Sequence, residues 1–241
     1  MTTPRRRHVD IPDTSRYSRR DFLAGTGATG AAIIAPAFVP LKVRAAPDPV
    51  TDFKPLPAPT REGGMPLMQA LAQRRSTREF SARRIPEQVL SDLLWAAYGV
   101  NRASGDRTAP CWRHIIAIDV YAAMEDGLWL YDPKRHALVP HPAGDIRAQT
   151  GQQEFVGRAP LNLVYVANGQ RMSELTPENR KLYCSVDAAF IGQNVYLYCA
   201  SVGLATVFRG AVDYPRLARA MRLDHDQFVA FAQTVGYPKE G

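Results

Sequence analysis

The chain has 241 residues, 46% of them hydrophobic, which is enough for one globular domain with a substantial core. Its formal net charge of +7 arises mainly in residues 1–45, which contain 8 of the 30 basic and 3 of the 23 acidic residues. Residues 46–241 therefore hold 22 basic and 20 acidic residues, a net charge of +2, so charge gives no support for a nucleic-acid partner.

Residues 1–45 are predicted to be a signal peptide. Residues 18–23 read SRRDFL, which resembles the twin-arginine export motif, and a mildly apolar run at residues 24–40 follows. That run is too weakly apolar for a stable membrane span, which needs about 20 strongly apolar residues. Small residues at 43–45 favour cleavage after Ala45 or Ala46, and a disordered basic tail is the alternative. We therefore expect the twin-arginine machinery as a partner, a periplasmic or otherwise exported location, and a redox cofactor.

Five prolines within residues 46–62 predict an extended linker, so residues 46–64 are assigned to the linker and residues 65–241 to the folded domain. The first helix is expected to begin near Pro66 and to continue to Arg75. A second helix is expected from Pro86 to Gly99, because apolar residues recur there at helical spacing.

Strands and helices are mixed in the remaining chain without regular βαβ alternation. The predicted strands are residues 114–121, 128–131, 137–139, 159–167, 204–208 and 228–235. The predicted helices are residues 177–201 and 215–222. The first of these is apolar on most sides, which favours burial in a core or at a subunit interface. This order of elements predicts an α+β fold of one domain.

Three cysteines, Cys111, Cys184 and Cys199, follow the predicted signal peptide. No pair has metal-ligand spacing, and no metal site is predicted. One disulfide is compatible with an oxidising compartment, and its pairing stays open.

An arginine-rich segment, RRSTREFS at residues 74–81, is the first candidate site. Guanidinium groups bind phosphate or carboxylate oxygens in a forked geometry, and the hydroxyl of Ser76 adds a further donor. At the end of a helix, Arg74, Arg75, Ser76 and Arg78 would suit a phosphate or the polar edge of a ring. A solvated surface run is the alternative interpretation.

Three further segments extend this pattern: RTAPCWRH at residues 107–114, DAAFIGQNVYLYCASVGLATVFRG at residues 187–210 and QTVGYPK at residues 233–239. Together with residues 74–80 they resemble the FMN-dependent nitroreductase family over residues 65–239. The likeness is to the branch that includes the thiazole and oxazole dehydrogenases. It implies an α+β sandwich with a central mixed or antiparallel sheet flanked by helices, and an intertwined homodimer with FMN at each end of the interface.

The resemblance also implies a set of cofactor-binding residues, which are Arg74, Arg75, Ser76, Arg78, Pro110, Cys111, Trp112, His114, Leu204, Arg209, Gly210 and Lys239. In it, Arg74 and Arg78 contact the phosphate and ribityl oxygens. Arg75 and Ser76 lie against the pyrimidine end of the flavin. A backbone N–H after the Leu204 strand, from Arg209 or Gly210, would face flavin N5.

The loop before the first long strand departs from the family pattern of small serines followed by an asparagine. Cys111 is near-isosteric with serine, or is simply a small buried residue. Trp112 would stack on the flavin or narrow the cleft, or is an ordinary core residue. His114 could take up a proton. Lys239 is the candidate for the basic phosphate ligand that relatives supply from their carboxyl-terminal segment, and Asp187 is expected to cap or pair.

The resemblance implies an exported FMN oxidoreductase with a ping-pong cycle, in which flavin N5 carries the hydride and no side chain need be a base. NAD(P)H is the usual donor in the family; export makes a small-molecule or quinone-linked donor the alternative. Nitroaromatic reduction as a side activity and dehydrogenation of a heterocycle are open alternatives. So are a flavin-binding homodimer with an occluded site and a phosphate- or nucleic-acid-binding protein.

Overall fold

A computed structural model describes residues 53–239, which lie within one compact unit of residues 48–241. Seven strands form a single antiparallel sheet in the order β1-β4-β3-β2-β5-β7-β6. The strands are β1 (Lys54–Pro55), β2 (Ile118–Met124), β3 (Gly127–Asp132), β4 (Ala137–His141), β5 (Leu161–Asn168), β6 (Ala205–Arg209) and β7 (Gln227–Gly236). The signal peptide predicted at residues 1–45 lies outside the described residues.

Four helices cover the two faces of this sheet: α1 (Leu67–Gln73), α2 (Glu87–Tyr98), α3 (Pro177–Val202) and α4 (Tyr214–Ala220). Leu94 of α2 and Ile191 of α3 belong to the larger buried cluster on one face, and Leu217 of α4 belongs to a second cluster on the other face. The prediction of an α+β fold with a central sheet flanked by helices is confirmed. Within residues 53–239, none of the helices is both long and apolar enough to cross a membrane.

Helix α3 has residues at both ends that favour helix termination. Thr176 precedes the helix and accepts a hydrogen bond from the Asn179 N–H at 3.3 Å, and Pro177 occupies the first helical turn. Gly203 ends the helix with φ of 76°, a left-handed conformation that favours glycine. The helix therefore passes directly into β6, whose outer edge carries the candidate site.

The predicted strand at residues 114–121 begins too early. Residues Trp112–His114 form a 3₁₀ turn, and Arg113 and His114 have positive φ of 48° and 59°. Left-handed backbone cannot continue a strand, so β2 begins only at Ile118. The turn also places the Trp112 side chain against α3 rather than along the sheet.

The predicted linker contributes to the fold before residue 65. Lys54 and Pro55 pair with Leu138 and Ala137 of β4, and the Leu56 N–H donates to the His136 carbonyl at 3.0 Å. Leu56 itself is buried. The sheet therefore includes residues that the sequence assigns to the linker. The prolines do indicate extended backbone, but an edge strand tolerates proline as readily as a linker does.

Helix α3 has one face in the core and another that is exposed in the single chain. Cys184, Ile191 and Val195 are buried, whereas Leu182, Val186 and Phe190 are 55%, 42% and 46% exposed. These three exposed side chains are spaced four residues apart and form an apolar stripe along the helix. The sequence predicts that α3 is buried in a core or at a subunit interface. In the single chain this apolar stripe stays exposed.

Gly192 is the point of closest approach between α3 and β6. A Cβ atom there would lie 2.5 Å and 2.6 Å from two carbons of the Phe208 ring. We expect Gly192→Ala to lower the free energy of unfolding by about 1–2 kcal/mol, because overpacking outweighs the better helix propensity of alanine. Urea unfolding of Gly192→Ala, alone and combined with Phe208→Leu, measures this effect. The smaller leucine side chain at position 208 should recover part of the loss in the double variant. An unchanged or raised stability of Gly192→Ala alone would contradict the close packing.

Candidate functional site

A cleft of about 560 Å³ lies where the ends of α1 and α3 meet the outer edge of β6. Its lining includes Arg74, Arg75, Tyr196, Leu204, Thr206 and Pro238. Three residues of the sequence-predicted set, Arg74, Arg75 and Leu204, are therefore brought together here. The volume lies within the range of about 300–1,000 Å³ typical of small-molecule sites.

Tyr196 holds the arginine-rich segment against β6. Its hydroxyl lies 2.7 Å from Ser76 Oγ and accepts a hydrogen bond from the Phe208 N–H at 2.9 Å. The Arg74 guanidinium carbon lies 5.2 Å from the centroid of the Tyr196 ring, within cation–π distance. The Thr77 N–H also donates to the Thr206 carbonyl at 3.0 Å. These contacts cover polar groups at the outer edge of β6 and orient both Arg74 and Ser76.

Sequence reasoning did not identify Tyr196. In the segment QNVYLY, Tyr196 is indistinguishable from an aromatic residue of the core. The neighbouring residues do not indicate which strand its hydroxyl will contact. The partner atoms, Ser76 Oγ and the Phe208 amide, are 120 and 12 residues away in the chain. Only the packing of α3 on the sheet reveals this residue.

Arg78 and Lys239 lie near the cleft without forming its described lining. Both side chains are exposed. The Lys239 N–H donates to the Glu79 carbonyl at 3.3 Å, and the neighbouring Pro238 lines the cleft and bridges to Phe80. The carboxyl-terminal segment therefore passes beside the arginine-rich segment.

The side chain of Arg209 faces away from the cleft. It is 4% exposed and donates to Thr234 Oγ1 at 3.0 Å, to the Thr150 carbonyl at 2.9 Å and to Asn162 Oδ1 at 3.1 Å. Because burial penalises the charge, the pKa of Arg209 is lowered to about 10. At the Arg209-Gly210 turn, the backbone is thus the part available to a ligand at the edge of β6.

The loop at residues 110–114 lies against the first half of α3. The Trp112 ring stacks on Tyr183 with centroids 4.7 Å apart, and the Trp112 backbone N–H donates to both carboxylate oxygens of Asp187 at 3.1 Å and 3.3 Å. Asp187 is 2% exposed, and burial raises its pKa to about 6 although the Trp112 hydrogen bond opposes the shift. Asp187 therefore acts as the cap for this loop.

Cys111 and His114, the predicted residues on either side of the Trp112-Arg113 pair, differ in environment. Cys111 is half-buried, and burial followed by the nearby Asp187 charge raises the pKa of its thiol, which disfavours the thiolate. The His114 side chain is 87% exposed, with Nδ1 3.6 Å from Asp106 Oδ1. A ligand can reach His114 more readily than Cys111.

Within one chain, the loop and the arginine cleft are not brought together. Tyr183 and Asp187 precede Tyr196 on α3 by 13 and 9 residues, about 20 Å and 13 Å along the helix axis. The sequence-predicted site therefore divides into two groups, one beside the first half of α3 and the other beside its second half.

The three cysteines are free in the described structure. Cys184 and Cys199 both lie on α3, separated by 15 residues or about 22 Å along its axis, so they cannot form a disulfide with each other. Across residues 53–239, no cluster of three or more His, Cys, Asp or Glu is placed to hold a metal ion.

Comparison with known proteins places the whole arrangement in a family. Residues 71–237 match the Nitroreductase family. Residues 16–36 match the TAT (twin-arginine translocation) pathway signal sequence. The two matches cover the domain and the leader separately, and the first includes both groups of the candidate site.

Individual relatives agree with these matches. A curated protein of Methanocaldococcus jannaschii that carries a nitroreductase name is 30% identical over 155 residues, which are 60% of this chain and 78% of that protein. A Ralstonia eutropha crystal structure with a nitroreductase title is 46% identical with a TM-score of 0.75, covering 78% of this chain and 90% of that one. An NADPH:FMN oxidoreductase of Vibrio harveyi, complexed with NAD⁺, shares the fold at 20% identity and a TM-score of 0.53 over 72% of this chain and 69% of that one.

Proposed function

This chain belongs to the nitroreductase family and carries a twin-arginine signal sequence, and from that premise we propose that it is an exported, FMN-dependent oxidoreductase. The observation that carries the proposal is the cleft of about 560 Å³ in which Arg74 and Arg75 stand beside Tyr196. The name of the Vibrio harveyi relative, an NADPH:FMN oxidoreductase, supports FMN as the cofactor.

The residues of the cleft suit FMN by their donor chemistry. Arg74 and Arg75 offer forked donors for phosphate and carbonyl oxygens, and Ser76 adds a hydroxyl oriented by Tyr196. Neither arginine pairs with a carboxylate in the described part of the chain, so both charges remain available to an anionic ligand. Leu204 and Ala205 supply apolar surface beside these donors.

FMN, when bound, supplies hydride transfer through its N5 atom in a ping-pong cycle with a donor and an acceptor. The chain's own residues bind and orient it. Arg75 would place positive charge near the pyrimidine end of FMN and favour negative charge there, and the backbone N–H at Arg209 or Gly210 would be the donor toward N5. No proton transfer by a side chain is required.

The exposed stripe on α3 supports a homodimer. Besides Leu182, Val186 and Phe190, helix α1 also has exposed apolar side chains, which are Leu67, Met68 and Leu71. An apolar patch of this kind marks a protein contact. Because the Trp112 loop and the arginine cleft lie apart along α3, we propose that two α3 helices pair antiparallel about a two-fold axis, so that the Trp112 loop of one copy would face the arginine cleft of the other. Such a dimer would unite the two groups of site residues.

The signal sequence supports export, and we place the working protein in the periplasm or an equivalent exported compartment. NAD(P)H is the donor suggested by the Vibrio harveyi relative. A small-molecule or quinone-linked donor suits an exported enzyme better, because free nicotinamide cofactors are scarce outside the cytoplasm.

An absorbance spectrum tests the proposal. Residues 46–241, purified from cytoplasmic expression, should be yellow and release about one FMN per chain on heating. A colourless protein that also fails to bind added FMN would overturn the proposed function. A yellow protein that accepts electrons from no donor under anaerobic conditions would favour a flavin-binding homodimer without turnover.

A further inference from the structure

A second cleft, of about 700 Å³, lies between the first half of α3, the start of α4 and the first half of β7. Strand β6 pairs with β7 only at residues 232–236. Within the described structure, residues 227–231 of β7 therefore have a strand partner on one side only, where β5 lies. This uncovered half of β7 forms the floor of the cleft.

Aromatic side chains form the wall that faces the Gly210 turn. Tyr214 and Phe231 line the cleft, and the Tyr214 hydroxyl donates to the Gly210 carbonyl at 3.2 Å. A Cβ atom on Gly210 would lie 3.6 Å from the Phe231 ring, and Phe231 packs on Phe208 with ring centroids 4.7 Å apart. The wall of the second cleft therefore contacts the Gly210 turn, the backbone that the proposed function assigns to flavin N5.

The rim of the cleft is positive. Arg180 is occupied, since it donates to the carbonyls of Leu175 and Ser173 at 2.9 Å and 2.8 Å. Asp226 is also occupied, by His225 at 2.9 Å and by the Gln170 amide at 3.0 Å. Lys181 is exposed and forms no ion pair within residues 53–239. Its ammonium group is therefore available to a ligand.

We propose that this cleft binds a planar aromatic acid, with its ring against Tyr214 and Phe231 and its carboxylate paired with Lys181. An aromatic ring is stabilised by offset or edge-to-face packing on aromatic side chains. The Lys181 ammonium group can pair with a carboxylate on such a ring, while Nε and Nη2 of the neighbouring Arg180 already donate to backbone carbonyls. Binding stands on the cleft alone; that the acid is the substrate rests on the proposed function.

Isothermal calorimetry with 2-naphthoate and its neutral isostere 2-naphthamide tests the inference on the purified protein. Lys181→Gln should weaken naphthoate binding roughly threefold to tenfold and leave naphthamide binding unchanged. Lys134→Gln, which removes the same charge from an exposed turn between β3 and β4, should change neither. Ala218→Phe, which fills the cleft with a side chain from α4, should weaken both ligands.

The outcomes separate this inference from the proposed function. If naphthoate and naphthamide bind equally, or if Lys134→Gln acts like Lys181→Gln, the proposed carboxylate contact is wrong. If neither ligand binds, the cleft is not a ligand site and is left to a second copy of the chain. A protein that does not bind FMN yet binds naphthoate through Lys181 would overturn the proposed function and support the aromatic-acid site. A protein that binds FMN but not naphthoate would overturn the aromatic-acid site and support the proposed function.

Discussion

Replacing Arg74 by Gln is expected to weaken FMN binding about 100-fold. Arg74 lines the arginine cleft, its guanidinium stands over the Tyr196 ring, and it forms no ion pair with any carboxylate among residues 53–239. A charged hydrogen bond contributes about 1.5–3 kcal/mol, and a forked guanidinium makes two such bonds to one phosphate. Titration of the apoprotein with FMN, followed by quenching of flavin fluorescence, measures the loss.

Two variants serve as controls for this experiment. Arg84→Gln removes an equal charge from an exposed side chain that pairs with Glu125 away from the cleft, and should change FMN affinity less than twofold. Arg78→Gln tests the residue that the resemblance assigns to the phosphate but that lies outside the described lining, so a smaller loss is expected than at Arg74. Wild-type affinity in Arg74→Gln would show that FMN does not use this cleft.

Replacing Asp187 by Asn is expected to change how stability depends on pH. Burial raises the pKa of Asp187 to about 6 from its ordinary value of 3.8. Between these two values the folded chain holds a proton that the unfolded chain releases, so the free energy of unfolding falls as pH rises from about 4 to about 6. Two pKa units at 1.36 kcal/mol each amount to a loss of up to about 3 kcal/mol at pH 7. Asparagine removes this loss because it carries no charge, and its carbonyl can still accept the Trp112 N–H.

The measurement is urea unfolding of the wild-type and Asp187→Asn proteins at several pH values, compared as a difference at each pH. The difference isolates Asp187 from other groups, such as Asp145, whose pKa is lowered and whose contribution runs in the opposite direction. Glu178→Gln, an exposed change on the same helix, should leave the wild-type curve unaltered. If the difference in the free energy of unfolding is constant between pH 4 and pH 7, folding does not shift the pKa of Asp187.

Local chemistry in the sequence was enough to determine where most elements begin and end. Pro66, Pro86 and Gly203 mark helix boundaries through their own backbone preferences, and the structure has α1, α2 and α3 there. The apolar run at residues 159–167 predicts the buried central strand that β5 forms. Each of these signals depends on a residue and its near neighbours, so no knowledge of the fold was needed.

The tertiary structure alone decided which polar groups meet. The Arg209 guanidinium points to Asn162 and Thr150 on the far face of the sheet, whereas the sequence resemblance concerned only the backbone N–H of this turn. Tyr196 reaches Ser76 across 120 residues, and Asp187 caps Trp112 across 75. Such pairings follow from how α3 packs on β6 and from strand alternation, which sends successive side chains to opposite faces. The local sequence specifies which hydrogen-bond donors and acceptors are present, whereas long-range packing determines which of them pair.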